Sequence, residues 1–274
     1  IGAMLILGAV AADASAVQMP YLAMGGVLLV AATLFRFIDL PTLSHVKTEG
    51  EEDSLKMHML VSASVIAAMI FGLYWLAGLI AIVSFGYNLI GLSQHRSMVL
   101  GALAIFLYVG GEVAIGSFLV NYFAESSIAG MEIVEAGEMV AWYWGAAFFG
   151  RLLGAGLMVV LPSTKYLAAN AVLAILMILI SINTSGDIAM YSILAVGFFN
   201  SIMFPTIFTL AVKGLGSMTS KGSGLVCQGI VGGALIPVIQ GIAADSVGIQ
   251  LSFIVPMLCY IYIGWYALRG ADQS

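Results

Sequence analysis

Glu112 and Arg151 each stand inside a long apolar run, Gly101 to Phe123 for the first and Glu138 to Val160 for the second. A charge at membrane depth costs several kcal/mol unless it is paired or lines a wet cavity. With a rise of about 1.5 Å per residue, Glu112 lies about 16 Å from Gly101 and Arg151 about 14 Å from Val160, so antiparallel neighbours would hold both near mid-bilayer. Two chemistries fit such a pair. Glu112 could be an ion or proton site, or an acceptor for a substrate hydroxyl. Alternatively the two residues form a permanent ion pair that ties two helices together, because buried pairs can serve fold specificity without serving turnover. Residues four apart share a helix face, which groups Tyr108, Glu112 and Gly116, while Asn121 points nearly the opposite way.

Three further sets of residues could meet a ligand. In AWYWGAAFFGRLLGAGL, Tyr143 and Trp144 could stack on the apolar face of a sugar ring, or serve as an interfacial aromatic belt. Gly150 and Gly154, four apart, would allow a close helix approach. In VGFFNSIMFPTIFTL, Pro205 cannot donate to the carbonyl of Ser201, so the helix should break and leave polar backbone near Asn200. Asn200 and Phe204 share a face, where an amide and an aromatic ring could meet a hydroxylated ligand, or Asn200 could simply bond another helix. Gln228 lies between Gly224 and Gly232 and is a further ligand candidate, whereas Gln240 lies nearer the outer end and is expected to meet water. KGLGSMTSKGSG is only superficially a phosphate loop, since Gly222 follows Lys221 where that motif needs Ser or Thr.

These residues need helices to hold them, and the composition supplies them. Hydrophobic residues make up 62% of the 274 and charged residues only 8%, with a mean hydropathy of +1.09. This is the profile of an integral membrane protein. Several runs of about 20 apolar residues, without alternating strand patterns, indicate an all-α transmembrane bundle rather than a barrel. Spans are expected at about 18–38, 101–123, 139–160, 166–183, 188–212, 222–244 and 250–268. The polar segments Glu49 to Asp53 and Glu125 to Glu138 read as solvated connections. Between Met57 and Leu92 a tight hairpin at Gly72 or Gly78 and a re-entrant segment are both open.

Arg36, Lys47, Lys56, Arg96, Lys165, Lys213, Lys221 and Arg269 fall at alternate connections, which the positive-inside rule places on the cytoplasmic side together with the C-terminus. The net charge of -5 offers no basic surface for nucleic acid. Cys227 and Cys259 fall in apolar runs and suggest neither a disulfide framework nor a metal site, and no motif calls for a cofactor. The opening IGAMLILGAV is too short to span and lacks the basic flank of a signal peptide, so the chain is expected to begin within a helix.

The strings FLYVGGEVAIGSFLVNYF, YWGAAFFGRLLG, VGFFNSIMFPTIFTLAVKGLG, TSKGSGLVCQGIVGGALIPVIQGIAAD and GIQLSFIVPMLCYIYI strongly resemble the fucose/glucose/galactose permease group of the major facilitator superfamily. The resemblance runs from about Met98 to Gly270, and the segment before Phe35 resembles the end of the fifth and the sixth helix of the same group. It implies two six-helix halves, with residues 1–40 ending the N-terminal half. Residues 41–100 would be an inter-half cytoplasmic segment with an extra apolar insertion, and 101–274 the C-terminal half. It also implies a sugar bound between the halves and uptake coupled to a cation, usually a proton. Positions carried over are Glu112, Asn121, Tyr122, Tyr143, Trp144, Asn200, Phe204 and Gln228. Met57 to Leu92 has no recognised counterpart.

The expected function is therefore secondary active transport of a hexose, glucose-like or galactose-like, coupled to a proton or sodium ion in a bacterial inner membrane. The chain here would be a fragment that needs the missing N-terminal half. A non-transporting membrane subunit or half-transporter scaffold is the alternative. A membrane enzyme would need a nucleophile and base, or clustered carboxylates, at one depth, and the sequence shows neither.

Overall fold

The computed structural model describes residues 26, 29–30, 33–34, 51–70, 72–91 and 94–271. The chain divides into two units, residues 1–63 and 64–274. In the first, the described residues before Glu51 are helical, and the Thr33 hydroxyl donates to the carbonyl of Leu29 at 2.7 Å. Most of the span expected at 18–38 lies outside the described residues. The first helix bounded on both sides is α1 (Glu51–Ile70).

The rest of the second unit is helical: α2 (Tyr74–Gly91), α3 (Arg96–Ala124), α4 (Ile133–Leu157), α5 (Ser163–Asn183), α6 (Gly186–Asn200), α7 (Met203–Val212), α8 (Thr219–Gln228), α9 (Gly232–Val247), α10 (Ile249–Ser252) and α11 (Ile254–Trp265). Between α1 and α2 a short turn forms at Gly72, whose φ of +71° suits glycine. There Leu73 N–H donates to Ala68 O at 2.8 Å, the bond that caps a helix C-terminus around a left-handed glycine. Among the described residues, five helical stretches are long and apolar enough to cross a membrane: α3, α5, α6 with α7, α8 with α9, and α10 with α11. At 25 residues α4 has the length to do so as well.

Proline sets two of the breaks. Pro205 supplies no N–H to Ser201, and α6 ends at Asn200 before α7 resumes at Met203. Pro256 likewise leaves the carbonyl of Ser252 without its helical donor, and α10 gives way to α11 across Phe253. Gly229 and Gly232 flank a third break, where a 3-10 turn from Gly229 to Val231 separates α8 from α9. Two acidic segments differ from expectation: residues 51–53 open α1, and 133–138 open α4. Glu135 lies in the first turn of α4, where a negative charge complements the positive helix end. Cys227 is exposed rather than buried.

α3 is the central rod, in contact with α4, α7, α9 and α11. Small residues let its neighbours close in. Gly232 packs on the backbone carbonyl of Phe106, Gly197 on that of Tyr143, Gly150 against Ser201 and Gly154 against Ile202. The loops free of lysine and arginine meet at one end: Gly186 N–H donates to Ser127 O at 3.0 Å, and the Gln250 amide donates to Thr184 O at 2.6 Å.

Candidate substrate cavity

The break before Pro205 frees two consecutive carbonyls, and both are claimed by other helices. Arg151 Nε donates to Ser201 O at 3.2 Å, and the Tyr108 hydroxyl donates to Asn200 O at 3.0 Å. A proline on one helix thus fixes side chains from α3 and α4, which become two walls of a cavity of about 450 Å³. That volume lies within the range of small-molecule sites. Tyr108, Val109 and Glu112 line it from α3, Arg151 from α4, Phe204 and Pro205 from α7, and Ile230 from the 3-10 turn. The wall is mixed, with aromatic and aliphatic surface around one carboxylate and one guanidinium.

Glu112 and Arg151 therefore share the cavity, as their matched depth suggests. Arg151 acts on Glu112 electrostatically. Even so, no ion pair within 4 Å is found among the described residues, and Glu112 Oε1 is a buried atom without a protein hydrogen-bond partner. Tyr108, one turn before Glu112, has given its single hydroxyl proton to Asn200 O.

Behind the cavity lies a fully buried polar cluster. Asn200 Nδ2 donates to the Tyr143 hydroxyl at 2.7 Å. The Tyr260 hydroxyl of α11 lies close enough to interact with the Asn200 side chain and with Glu112, but its geometry completes no hydrogen bond. Asn200, Tyr143 and Tyr260 all have 0% exposure. Phe204 extends the cluster toward the cavity, tilted against Tyr108 at 6.3 Å between ring centroids.

Of the residues singled out from the sequence, Glu112, Arg151 and Phe204 line the cavity, with Asn200 and Tyr143 behind it. Asn121, Tyr122, Trp144 and Gln228 are elsewhere. Asn121 is exposed. The Tyr122 hydroxyl is held by Ser181, 2.9 Å from its Oγ, and its ring meets Phe253 edge-on. Trp144 packs edge-on against Tyr143 and lies over Gly116. Gln228 Oε1 accepts a 2.9 Å bond from Asn88 of α2. Gln240, expected to meet water, is fully buried and donates to Ser252 Oγ at 3.3 Å. Tyr260 is unmarked in the sequence, because nothing in LCYIYI separates it from Tyr262.

No profile of a known protein family matches the chain. It is 42% identical over 277 residues to the glucose/galactose transporter of Brucella abortus, covering 99% of this chain and 59% of that one. To the putative glucose/galactose transporter of Helicobacter pylori it is 39% identical over 268 residues, covering 96% and 56%. To the L-fucose-proton symporter of Escherichia coli it is 33% identical over 185 residues, covering 67% and 42%. The crystal structure of the major facilitator superfamily transporter FucP in the outward conformation superposes with a TM-score of 0.73 at 28% identity, over 94% of this chain and 55% of that one. The fold and its central cavity therefore define a polytopic helical membrane protein of the major facilitator superfamily. The chain spans 56 to 59% of the length of the glucose/galactose relatives above. Within the superfamily its sequence is similar to glucose/galactose transporters and to an L-fucose-proton symporter, as expected from the resemblance to the fucose/glucose/galactose permease group.

Proposed function

We propose that this chain forms part of a carrier that moves a hexose of the glucose or galactose type by alternating access, coupled to a cation, in a bacterial inner membrane. The observation that carries the reading is the cavity at the α6–α7 break. Its aromatic wall suits a sugar ring, and its carboxylate and guanidinium suit hydroxyls and charge coupling. A coupled proton fits a lone carboxylate best, and it matches the named activity of the Escherichia coli relative.

In this reading residues 101–274 are one six-helix half, residues 1–40 close the other, and 41–100 connect them on the cytoplasmic side. The two halves rock about the central site. The C-terminus lies in the cytoplasm, at the end that carries Arg96, Lys165, Lys213, Lys221 and Arg269. Asn121, Tyr122, Trp144 and Gln228 lie off the cavity wall in the conformation described, so direct sugar contact is assigned to Phe204, Tyr108, Glu112 and Arg151. Asn200 shapes the site from behind.

The test is uptake competition among labelled sugars in cells bearing the full-length gene, repeated with Glu112→Gln and Asn200→Ala. The expected result is competition by glucose and galactose, loss of cation coupling in the first variant and weakened sugar affinity in the second. Uptake that no hexose competes for would overturn the proposal.

A further inference from the structure

Three buried polar atoms of the cluster behind the cavity have no protein partner: Glu112 Oε1, Asn200 Oδ1 and the Tyr260 hydroxyl. They come from three helices, α3, α6 and α11. Each such atom costs about 1–3 kcal/mol in an apolar surrounding, and a side chain of the same shape without the polar atom would avoid that penalty. Their chemistry is complementary to one kind of guest. A carboxylate oxygen and an amide oxygen accept, and the hydroxyl can do either. An anion is disfavoured by the two acceptors. Calcium or magnesium needs more oxygens and more charge than one carboxylate supplies.

We propose that Glu112, Asn200 and Tyr260 enclose a site for one small monovalent cation, behind the sugar cavity, with the Tyr260 hydroxyl as the ligand that completes it. The guest is either the coupling proton, carried on Glu112 or on a water between these oxygens, or a sodium ion. The proposal rests on the reading of this chain as a cation-coupled sugar carrier.

The placement explains how two sites could communicate. Asn200 faces the cation site through Oδ1, while its Nδ2 holds Tyr143 and its backbone carbonyl holds the cavity residue Tyr108. Occupancy of the site would fix the Asn200 amide and, through it, the wall that the sugar meets. The titratable or charged groups acting on Glu112 are Tyr108 on its own helix, Arg151 and Tyr143 from α4, and Tyr260 from α11.

The test uses the full-length carrier in proteoliposomes and compares Tyr260→Phe with Tyr266→Phe. Tyr266 is a second buried hydroxyl without a partner, beside Gly101 and about 9 Å further along the helix. The readout is the ratio of cation-driven sugar accumulation to sugar–sugar exchange, measured with a pH gradient without sodium and with a sodium gradient at constant pH. Tyr260→Phe is expected to lower the ratio about tenfold in one arm, a typical coupling strength, and that arm names the ion. Its thermal midpoint should not fall, because the lost hydroxyl bonds nothing in the protein. The proposal is overturned by an unchanged ratio in both arms, by an equal loss in Tyr266→Phe, or by a lowered midpoint that marks a structural hydroxyl. A wild-type carrier that exchanges no hexose removes both this site and the transport reading beneath it.

Discussion

Two polar networks cross the interior of this bundle, and they differ in how completely they are satisfied. At the lysine-free end, Tyr122 bonds Ser181, the Ser181 hydroxyl donates to Ala189 O, and the Gln250 amide donates to both Ser181 O and Thr184 O. Every link in it joins one chain segment to another. Beside the cavity, Glu112, Asn200 and Tyr260 each leave an oxygen unmatched. A closed network rigidifies, while an open one leaves costly polar groups that an ion or a water would satisfy. The difference separates a clasp from a site, although both use a tyrosine hydroxyl and a side-chain amide and both include a residue of helix α3.

The largest expected effect attacks the frame of the open network. Gly197 of α6 lies against the backbone carbonyl of Tyr143, where an added Cβ has no room. Gly197→Ala should push α4 off α6, separate Asn200 from Tyr143 and cost about 3 kcal/mol, the upper end for overpacking. Both the thermal midpoint of the full-length protein in detergent and its sugar uptake should drop. Wild-type behaviour in both would mean that the α4–α6 contact does not position the cluster.

Arg151→Ala should divide the two observables. Arg151 is exposed, yet it supplies the donor to Ser201 O and is the cation acting on Glu112. Uptake efficiency is expected to fall about a hundredfold, roughly 2.7 kcal/mol of activation free energy, with a stability change below about 1 kcal/mol. The opposite pattern, with stability lost and uptake kept, would make Arg151 a structural tie and move the open network into the same class as the closed one.

How much of this was legible in the sequence follows from the range of each physical cause. The α6–α7 break depends on one missing N–H at Pro205 and needs only local geometry. The same rule would have found the α10–α11 break at Pro256, which the apolar continuity of that run concealed. The common cavity of Glu112 and Arg151 follows from helical rise along two runs. The role of Tyr260 was not legible, because burial of one tyrosine rather than its neighbour depends on which helix packs against α11. Gln228 is a ligand candidate by sequence, but its partner Asn88 lies 140 positions away, beyond the reach of any local rule. Tyr122 and Tyr108 lie on one helix, and only their neighbours at different depths assign one to the clasp and the other to the cavity.

Gln250→Ala should affect the closed network alone. Its amide joins the C-terminal end of α5 to the start of α10, and its loss removes two bonds to carbonyls that other donors do not fully replace. A destabilisation of about 1–2 kcal/mol is expected, read as a lower thermal midpoint with sugar KM unchanged. A raised KM with normal stability would show that this clasp opens during turnover.

Tyr122→Phe is expected to do least, and it discriminates most sharply between the family-based expectation and the geometry. Resemblance places Tyr122 against the sugar, whereas the structure turns its hydroxyl to Ser181 and seals its ring against Phe253. Removing the hydroxyl leaves no protein group stranded. Ser181 O keeps the Gln250 amide at 2.9 Å, and Ser181 Oγ keeps its 2.9 Å bond to Ala189 O. The stability cost should therefore stay near 0.6 kcal/mol, the average for hydrogen bonds between membrane helices. Sugar KM, measured by counterflow of labelled glucose or galactose, should match the wild type. A rise of about tenfold, roughly 1.4 kcal/mol of lost binding, would mean that another conformation of the carrier frees Tyr122 from Ser181 and presents it to the substrate.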